Sequence, residues 1–186
     1  MGRRDELALA ATDYVLEHGL IGLSLRPLAD ALGTSDRMLL YHFGSKDDLI
    51  ATILRTSNDR SISRIRALPA SPGIGQAVID LWQAMTSSSI VACSRLYVEV
   101  SALGLFGSEP YAAVVRDLNS QWMAALGAHL VASGADPSSA GRVASLVDAT
   151  IMGLFLDMPL DSRKGQRRTV EDLARAAEAI AQSGSA

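Results

Sequence analysis

Residues that could bind nucleic acid are concentrated in one short stretch, GTSDRMLLYHFGSK at positions 33–46. At helical spacing, Leu39 and Phe43 fall on one face, which suits a core. An arginine near the start of such a helix can donate two hydrogen bonds to guanine in a DNA major groove. The alternative to nucleic-acid binding is that Tyr41 and His42 pack over a small core, as lone aromatic residues usually do. The face opposite Leu39 carries Arg37, Met38, Tyr41 and His42.

The residues around this stretch predict three short helices within about forty positions. A glycine ends each helix, and a serine is placed to cap the second and the third. The link between those two helices is too short for an antiparallel pair, so they must cross steeply. This arrangement is a helix-turn-helix, whose third helix can enter the major groove. The predicted helices are Asp5 to His18, a segment of about two turns that Ser24 caps and Gly33 ends, and Asp36 to Phe43.

The rest of the chain also predicts helices, so the fold class is all-α. Alanine and leucine are abundant, and apolar residues recur at spacings of three and four. A long fourth helix should run toward Leu68, with about five more after it. We expect a DNA-binding domain at 1–48 and a larger ligand-binding and dimerisation domain at 49–186. The predicted breaks lie at 68–73, 86–89, 107–110, 133–139 and 158–166.

Composition excludes several classes of protein. The 186 residues are 48% hydrophobic and 20% charged with a net charge of -3, which argues against disorder. Cys93 is the single cysteine, so no internal disulfide can form and a cytoplasmic location is expected. Asp5 and Glu6 do not suit a signal peptide. The longest apolar run contains Asp148 and Asp157, so we predict a helix buried against protein and no membrane partner.

No arrangement of residues indicates catalysis. The three histidines fall on separate predicted helices, and no HExxH, GxSxG or P-loop pattern occurs. We therefore predict that the protein is not an enzyme and needs no metal ion or cofactor.

The segment LSLRPLADALGTSDRMLLYHFGSKDDLI, with ALAATDYVLEHGLIGLSL before it, resembles the DNA-binding segment of the tetracycline-repressor-like (TetR) family of bacterial transcriptional regulators. The resemblance spans residues 5–50 without a gap. It implies a homodimer whose two third helices bind successive major grooves of a near-palindromic, double-stranded DNA operator. It also implies release from DNA when a small-molecule effector enters the C-terminal domain.

The resemblance also implies which residues contact DNA. Base contacts fall to Asp36, Arg37 and Met38, and phosphate contacts fall to Ser24, Arg26, Thr34, Tyr41, His42 and Lys46. Ser35 can join Thr34 in holding a phosphate at the helix start. Leu40 stands where the family usually has tyrosine, so one phosphate-binding hydroxyl is absent. Residues 1–50 contain five basic and eight acidic side chains, which predicts a shallow salt dependence of DNA binding.

Large apolar side chains of the C-terminal half are candidates for a ligand pocket, although each is by default a core residue. Glu99 and Asp148, if they point inward, would favour a polar or cationic group. The pocket candidates are Trp82, Met85, Tyr97, Phe106, Trp122, Met123, Met152 and Phe155.

The last two helices, predicted at about Pro137 to Asp157 and Thr169 to Ala181, are rich in small and apolar residues. With their symmetry mates they could form a four-helix dimer interface, although packing within one chain could claim several of the same positions. The interface candidates are Gly141, Ala144, Leu146, Val147, Ile151, Leu154, Leu173, Ala177 and Ile180.

The sequence thus predicts a DNA-binding transcriptional regulator, a repressor released by a small ligand. An activator would have the same sequence features. The alternative from another class is a helical small-molecule-binding or catalytic protein whose N-terminal module does not read DNA. Leu40 and the acidic charge of the module favour that alternative.

Overall fold

A computed structural model describes residues 2–108, 110–158 and 163–183. All regular secondary structure in these ranges is helical, which confirms the predicted all-α class. The helices are α1 (Arg3–His18), α2 (Leu25–Ala31), α3 (Asp36–Phe43), α4 (Lys46–Arg66), α5 (Ile74–Met85), α6 (Ser88–Leu105), α7 (Tyr111–Ala132), α8 (Pro137–Asp157) and α9 (Arg163–Ser183).

The chain divides into two compact units, each built from segments that are separate in sequence. Unit 1 comprises Met1–Ser61 and Ser88–Asn119, and unit 2 comprises Ile62–Ser87 and Ser120–Ala186. The predicted domain boundary after residue 48 falls in the first turn of α4. The division into a DNA-binding part and a ligand-binding and dimerisation part stays a prediction.

Unit 1 holds the helix-turn-helix on one hydrophobic core. Apolar residues of α1, α2, α3, α4 and α6 meet there, so the short α2 and α3 are anchored by tertiary packing. Helices of seven and eight residues need such packing, because they are too short to be stable alone in water. The central residues are Leu7, Ala11, Val15, Leu28, Leu39, Phe43, Leu49, Ile53, Leu96 and Val100.

The ends of α3 agree with the sequence prediction. The Ser35 hydroxyl accepts a hydrogen bond from the Met38 backbone N–H at 3.3 Å, so Ser35 caps the helix as expected. Gly44 follows with a φ of 89°, a conformation that other residues rarely adopt, and its N–H donates to the Leu40 carbonyl. Ser24 occupies the N-cap position of α2, but its side chain makes no capping hydrogen bond, contrary to prediction.

Unit 2 is built around α9, which packs against α5 and α8. The predicted start of this helix, at Thr169, was wrong, because α9 begins at Arg163. Arginine, lysine and glutamine favour helix, and Arg167 Nε lies 2.9 Å from Glu171 Oε1 one turn later. Residues 163–166 of the predicted break are therefore part of a helix, and residues 159–162 lie outside the described ranges.

Helix α8 is, by length and composition, apolar enough to cross a membrane, with a mean hydropathy of 1.3 in its best window. The core helix of a soluble protein has the same properties. In unit 2, α8 packs on α9 and buries Val143, Val147 and Ile151. This packing agrees with the prediction of a helix held against protein.

Candidate nucleic-acid interface

Helix α3 has one buried face and one exposed face, as its residue spacing predicts. Leu39 is fully buried and Phe43 nearly so. On the other side Tyr41 is 78% exposed and Met38 is 42% exposed, and Arg37 is also exposed. The alternative that Tyr41 covers the core is therefore wrong. A helix anchored on one side and presenting these groups on the other can lie against base edges.

The remaining predicted DNA contacts also lie at the surface of unit 1. Thr34 and His42 are half-buried, and the His42 ring packs edge-on against Tyr41 with 5.2 Å between ring centres. Of the residues that the sequence did not select, Leu40 is 38% exposed beside them. Ser24, Arg26, Ser35, Asp36 and Lys46 are exposed.

Lys46 has a structural partner in addition to its predicted role. Its Nζ donates to the Leu23 carbonyl at 2.5 Å, which ties the start of α4 to the residue before the N-cap of α2. An ammonium group has three donors, so two remain for a phosphate. The contact with Leu23 restrains where those two donors point.

Glu99 of α6, which the sequence offered as a possible ligand contact, binds the loop between α1 and α2 through its carboxylate. Its Oε2 accepts hydrogen bonds from the backbone N–H groups of Leu20 at 2.6 Å and Ile21 at 2.9 Å. Gly19 lies under this carboxylate, where a Cβ would come within 3.2 Å of Glu99 Oε1, and its φ of 86° also favours glycine. No local sequence signal links positions 79 apart, so this contact was not foreseen.

The predicted ligand-pocket residues are divided between the two units. Tyr97 and Phe106 belong to unit 1, and the other six belong to unit 2. Phe106 follows the end of α6 and is 85% exposed, so it does not line a cavity in this chain. Trp82, Trp122, Met123, Met152 and Phe155 are partly buried and Met85 is buried, and their role stays a prediction.

Trp122 and Asp148 form a polar pair inside unit 2. The indole Nε1–H donates to Asp148 Oδ1 at 2.7 Å. Burial raises the pKa of Asp148 above its ordinary value of 3.8, and the hydrogen bond from Trp122 opposes this rise. The carboxyl group therefore faces protein, where the indole N–H is its partner.

This raised pKa has a testable effect on stability. Between 3.8 and the raised value, the folded state binds more protons than the unfolded state, so the Asp148 contribution to stability falls as pH rises through that window. We expect Asp148→Asn to gain stability relative to the wild type as pH increases from about 4 toward neutrality. Urea unfolding at several pH values measures this difference. Asp157→Asn, at the exposed end of α8, controls for the loss of one charge.

A cleft of about 590 Å³ opens in unit 2, and none of the predicted pocket residues lines it. Its two carboxylates are helix caps. Glu178 Oε1 accepts from the Gly75 N–H at 3.2 Å at the start of α5, and Asp136 Oδ1 accepts from the Ser138 N–H at 2.7 Å at the start of α8. The lining residues are Pro72, Gly73, Ile74, Ser133, Gly134, Ala135, Asp136, Glu178, Ala181 and Gln182.

Most of the predicted dimer-interface positions are buried within one chain. Their side chains form the core of unit 2, where α8 meets α9, so a second subunit cannot cover them. Gly141 is exposed, and Leu146 and Ile180 are partly exposed. The positions corrected to packing within the chain are Ala144, Val147, Ile151, Leu154, Leu173 and Ala177.

In the part of the chain that the structure describes, no three His, Cys, Asp or Glu side chains are grouped so that they could hold a metal ion.

Comparisons with known proteins agree with this geometry. The family model for bacterial regulatory proteins of the tetR family matches residues 9–53. A curated relative, the HTH-type transcriptional repressor KstR2 of Rhodococcus jostii (strain RHA1), is 34% identical over 79 residues, which are 42% of this chain and 39% of that protein. The chain thus matches less than half the length of this relative.

Two solved structures are similar along nearly the whole chain. A transcriptional regulator from Rhodococcus sp. Rha1 superposes with a TM-score of 0.73 at 23% identity, covering 98% of this chain and 97% of the other. The multidrug binding protein EbrR complexed with proflavin gives 0.69 at 24% identity, covering 94% and 99%. These likenesses show a shared helical fold. The family match adds that residues 9–53, which contain the helix-turn-helix, are similar to bacterial regulatory proteins of the tetR family.

Proposed function

We propose that the protein is a DNA-binding transcriptional repressor that is released from a near-palindromic operator by a small-molecule ligand. The observation that carries this proposal is the exposed face of α3, with Arg37 in its first turn and Tyr41 one turn later. Leu39 and Phe43 anchor the opposite face, so the helix that carries the polar groups is held in a fixed orientation. A preorganised helix lowers the entropic cost of binding.

Each exposed group has a partner in duplex DNA. The Arg37 guanidinium can bridge O6 and N7 of a guanine, and Met38 can contact a thymine methyl group. Ser35 and Thr34 stand at the N-terminus of α3, where backbone N–H groups and the helix dipole favour a phosphate. Tyr41 and His42 can donate to neighbouring phosphates. The base contacts of Arg37 and Met38 give sequence preference, and the phosphate contacts fix the position of the protein on the duplex.

Ligand control is supported by the fold and by the interior of unit 2. EbrR, which has the same fold, is described as a multidrug binding protein and was crystallised with proflavin. In this chain Trp82, Trp122 and Met152 are partly buried in unit 2, and such aromatic and flexible side chains suit adaptable apolar binding. We assign the ligand to the apolar interior of this unit.

A homodimer completes the proposal, because two copies of α3 are needed to read two halves of a near-palindrome. The side of α8 that the chain leaves uncovered includes Gly141, Gly153 and the 53% exposed Leu156. Small residues permit close approach, and an exposed leucine gains from burial. We propose this side of α8, with Leu146 and Ile180, as the dimer interface.

Arg37→Ala tests direct reading of DNA. We expect binding to the preferred duplex to weaken by about 1–3 kcal/mol, with loss of preference at one base position. Fluorescence anisotropy with duplexes that vary each base measures both effects. Arg55→Ala is the matched control, since it removes an exposed arginine from α4 of the same unit. It should leave base preference unchanged, and equal behaviour of the two variants would refute readout by α3.

The alternative is a helical small-molecule-binding or catalytic protein that does not read DNA. The family match over the helix-turn-helix and the exposed face of α3 disfavour it. It would be supported if the wild-type protein bound all duplexes equally while still binding a small molecule.

A further inference from the structure

Arg4, near the N-terminus of α1, contacts the far end of α3. Its Nε donates to the backbone carbonyl of His42 at 3.2 Å. Its guanidinium carbon lies 5.2 Å from the centre of the Phe43 ring. Both partners are the last two residues of α3, so a single side chain satisfies a carbonyl and covers an aromatic face at the same helix end.

This end of α3 has few internal contacts to hold it. The last four carbonyl groups of an α-helix have no partner in the helix, and they carry the negative end of its dipole. A cation at this position is favourable, and a planar guanidinium can also stack on an aromatic ring, which an ammonium cannot do. With eight residues, α3 depends on such tertiary contacts.

We propose that Arg4 is a positioning residue for DNA binding, which holds the C-terminal turn of α3 where Tyr41 and His42 project. This inference rests on the proposed function. The neighbouring Arg3 makes a different contact, since its Nη1 lies 3.2 Å from Glu6 Oε2 in the same helix. Of the two adjacent arginines, Arg4 contacts α3 and Arg3 pairs with a residue of its own helix.

Arg4 is also exposed, so the rival role is that of a direct phosphate contact. The two roles differ in salt dependence. A phosphate contact releases about one counterion, and its loss lowers the slope of log K against log salt by about 0.9. A positioning residue acts through Tyr41 and His42, so its loss weakens binding with no greater change in slope than the removal of any nearby charge.

The experiment compares Arg4→Gln, Arg4→Lys and Arg3→Gln on the duplex preferred by the wild type, at several KCl concentrations. We expect Arg4→Gln to bind about 3- to 10-fold more weakly than Arg3→Gln, with the same salt slope. Arg4→Lys should recover little, because the flat guanidinium is lost. A slope lower by about 0.9 than that of Arg3→Gln, or equal affinity of the two glutamine variants, would overturn the proposal.

Amide hydrogen exchange provides a readout that does not require DNA. The Gly44 N–H donates to the Leu40 carbonyl at the end of α3, and it should exchange faster in Arg4→Gln than in Arg3→Gln, with α1 unchanged. Equal exchange in the two variants contradicts the proposal even if DNA affinity falls. Should the wild type bind no duplex, the proposed function fails, while exchange still decides whether Arg4 holds this turn.

Discussion

Leu39→Ala is expected to lower the free energy of unfolding by about 2–5 kcal/mol, the range for truncating a fully buried leucine. Leu39 is the α3 residue at the centre of the unit 1 core, with no exposed surface. Its loss removes buried apolar surface and leaves a cavity beneath the face that we propose to contact DNA. DNA binding should weaken too, because α3 would no longer be held in one orientation. Urea unfolding measures the first effect, and anisotropy the second.

Tyr41→Ala is the matched control two positions away on the exposed face of the same helix. Because the Tyr41 side chain is largely in solvent, its removal should change the free energy of unfolding by less than about 0.5 kcal/mol. DNA affinity should nevertheless fall. The opposite pattern, with stability lost in Tyr41→Ala and retained in Leu39→Ala, would mean that the two faces of α3 have been assigned the wrong way round.

Glu99→Ala is expected to lower the free energy of unfolding by about 1.5–3 kcal/mol, the usual range for a hydrogen bond to a charged group. The cost arises mainly at Leu20, which is 3% exposed. Once the carboxylate is gone, water cannot replace it as the hydrogen-bond acceptor for the Leu20 backbone N–H. Ile21 is 70% exposed, and its N–H can be hydrated. Chemical unfolding measures the change.

The effect of Glu99 on the loop can be measured separately from the overall stability. The loop bound by Glu99 leads into α2, so the Leu20 amide should exchange faster with solvent in Glu99→Ala. Glu99→Gln keeps one acceptor oxygen and should recover part of the lost stability. If Glu99→Ala were as stable as an alanine variant of the exposed Glu17, the carboxylate would not hold the loop.

The helix-turn-helix could be predicted from the sequence because its signals are local. Ser35 caps α3 through a bond to a residue three positions on, and Gly44 ends the helix through its own backbone conformation. The spacing of four between Leu39 and Phe43 then puts both side chains on the buried face of the helix. Each of these effects acts within one or two helical turns, so neither a partner helix nor a fold is needed to foresee it.

Contacts between distant parts of the chain could not be predicted. Glu99 meets Leu20 across 79 positions, and Arg4 meets His42 across 38, with no periodicity to connect them. Six of the nine dimer-interface candidates were assigned wrongly for a related reason. Apolar spacing on α8 and α9 shows which faces avoid water, but not whether the same chain or a second copy covers them, and Val147 and Ala177 prove to be covered by their own chain.

Selection of bound DNA from a random pool tests the central claim most directly. The wild-type protein should enrich an inverted repeat whose half-site centres are about 10–10.5 base pairs apart or a multiple of that spacing, since two copies of α3 must enter grooves on one side of the duplex. Arg37→Ala should enrich the same repeat with one base position relaxed in each half. A pool with no enriched sequence would contradict the claim that the exposed face of α3 reads DNA.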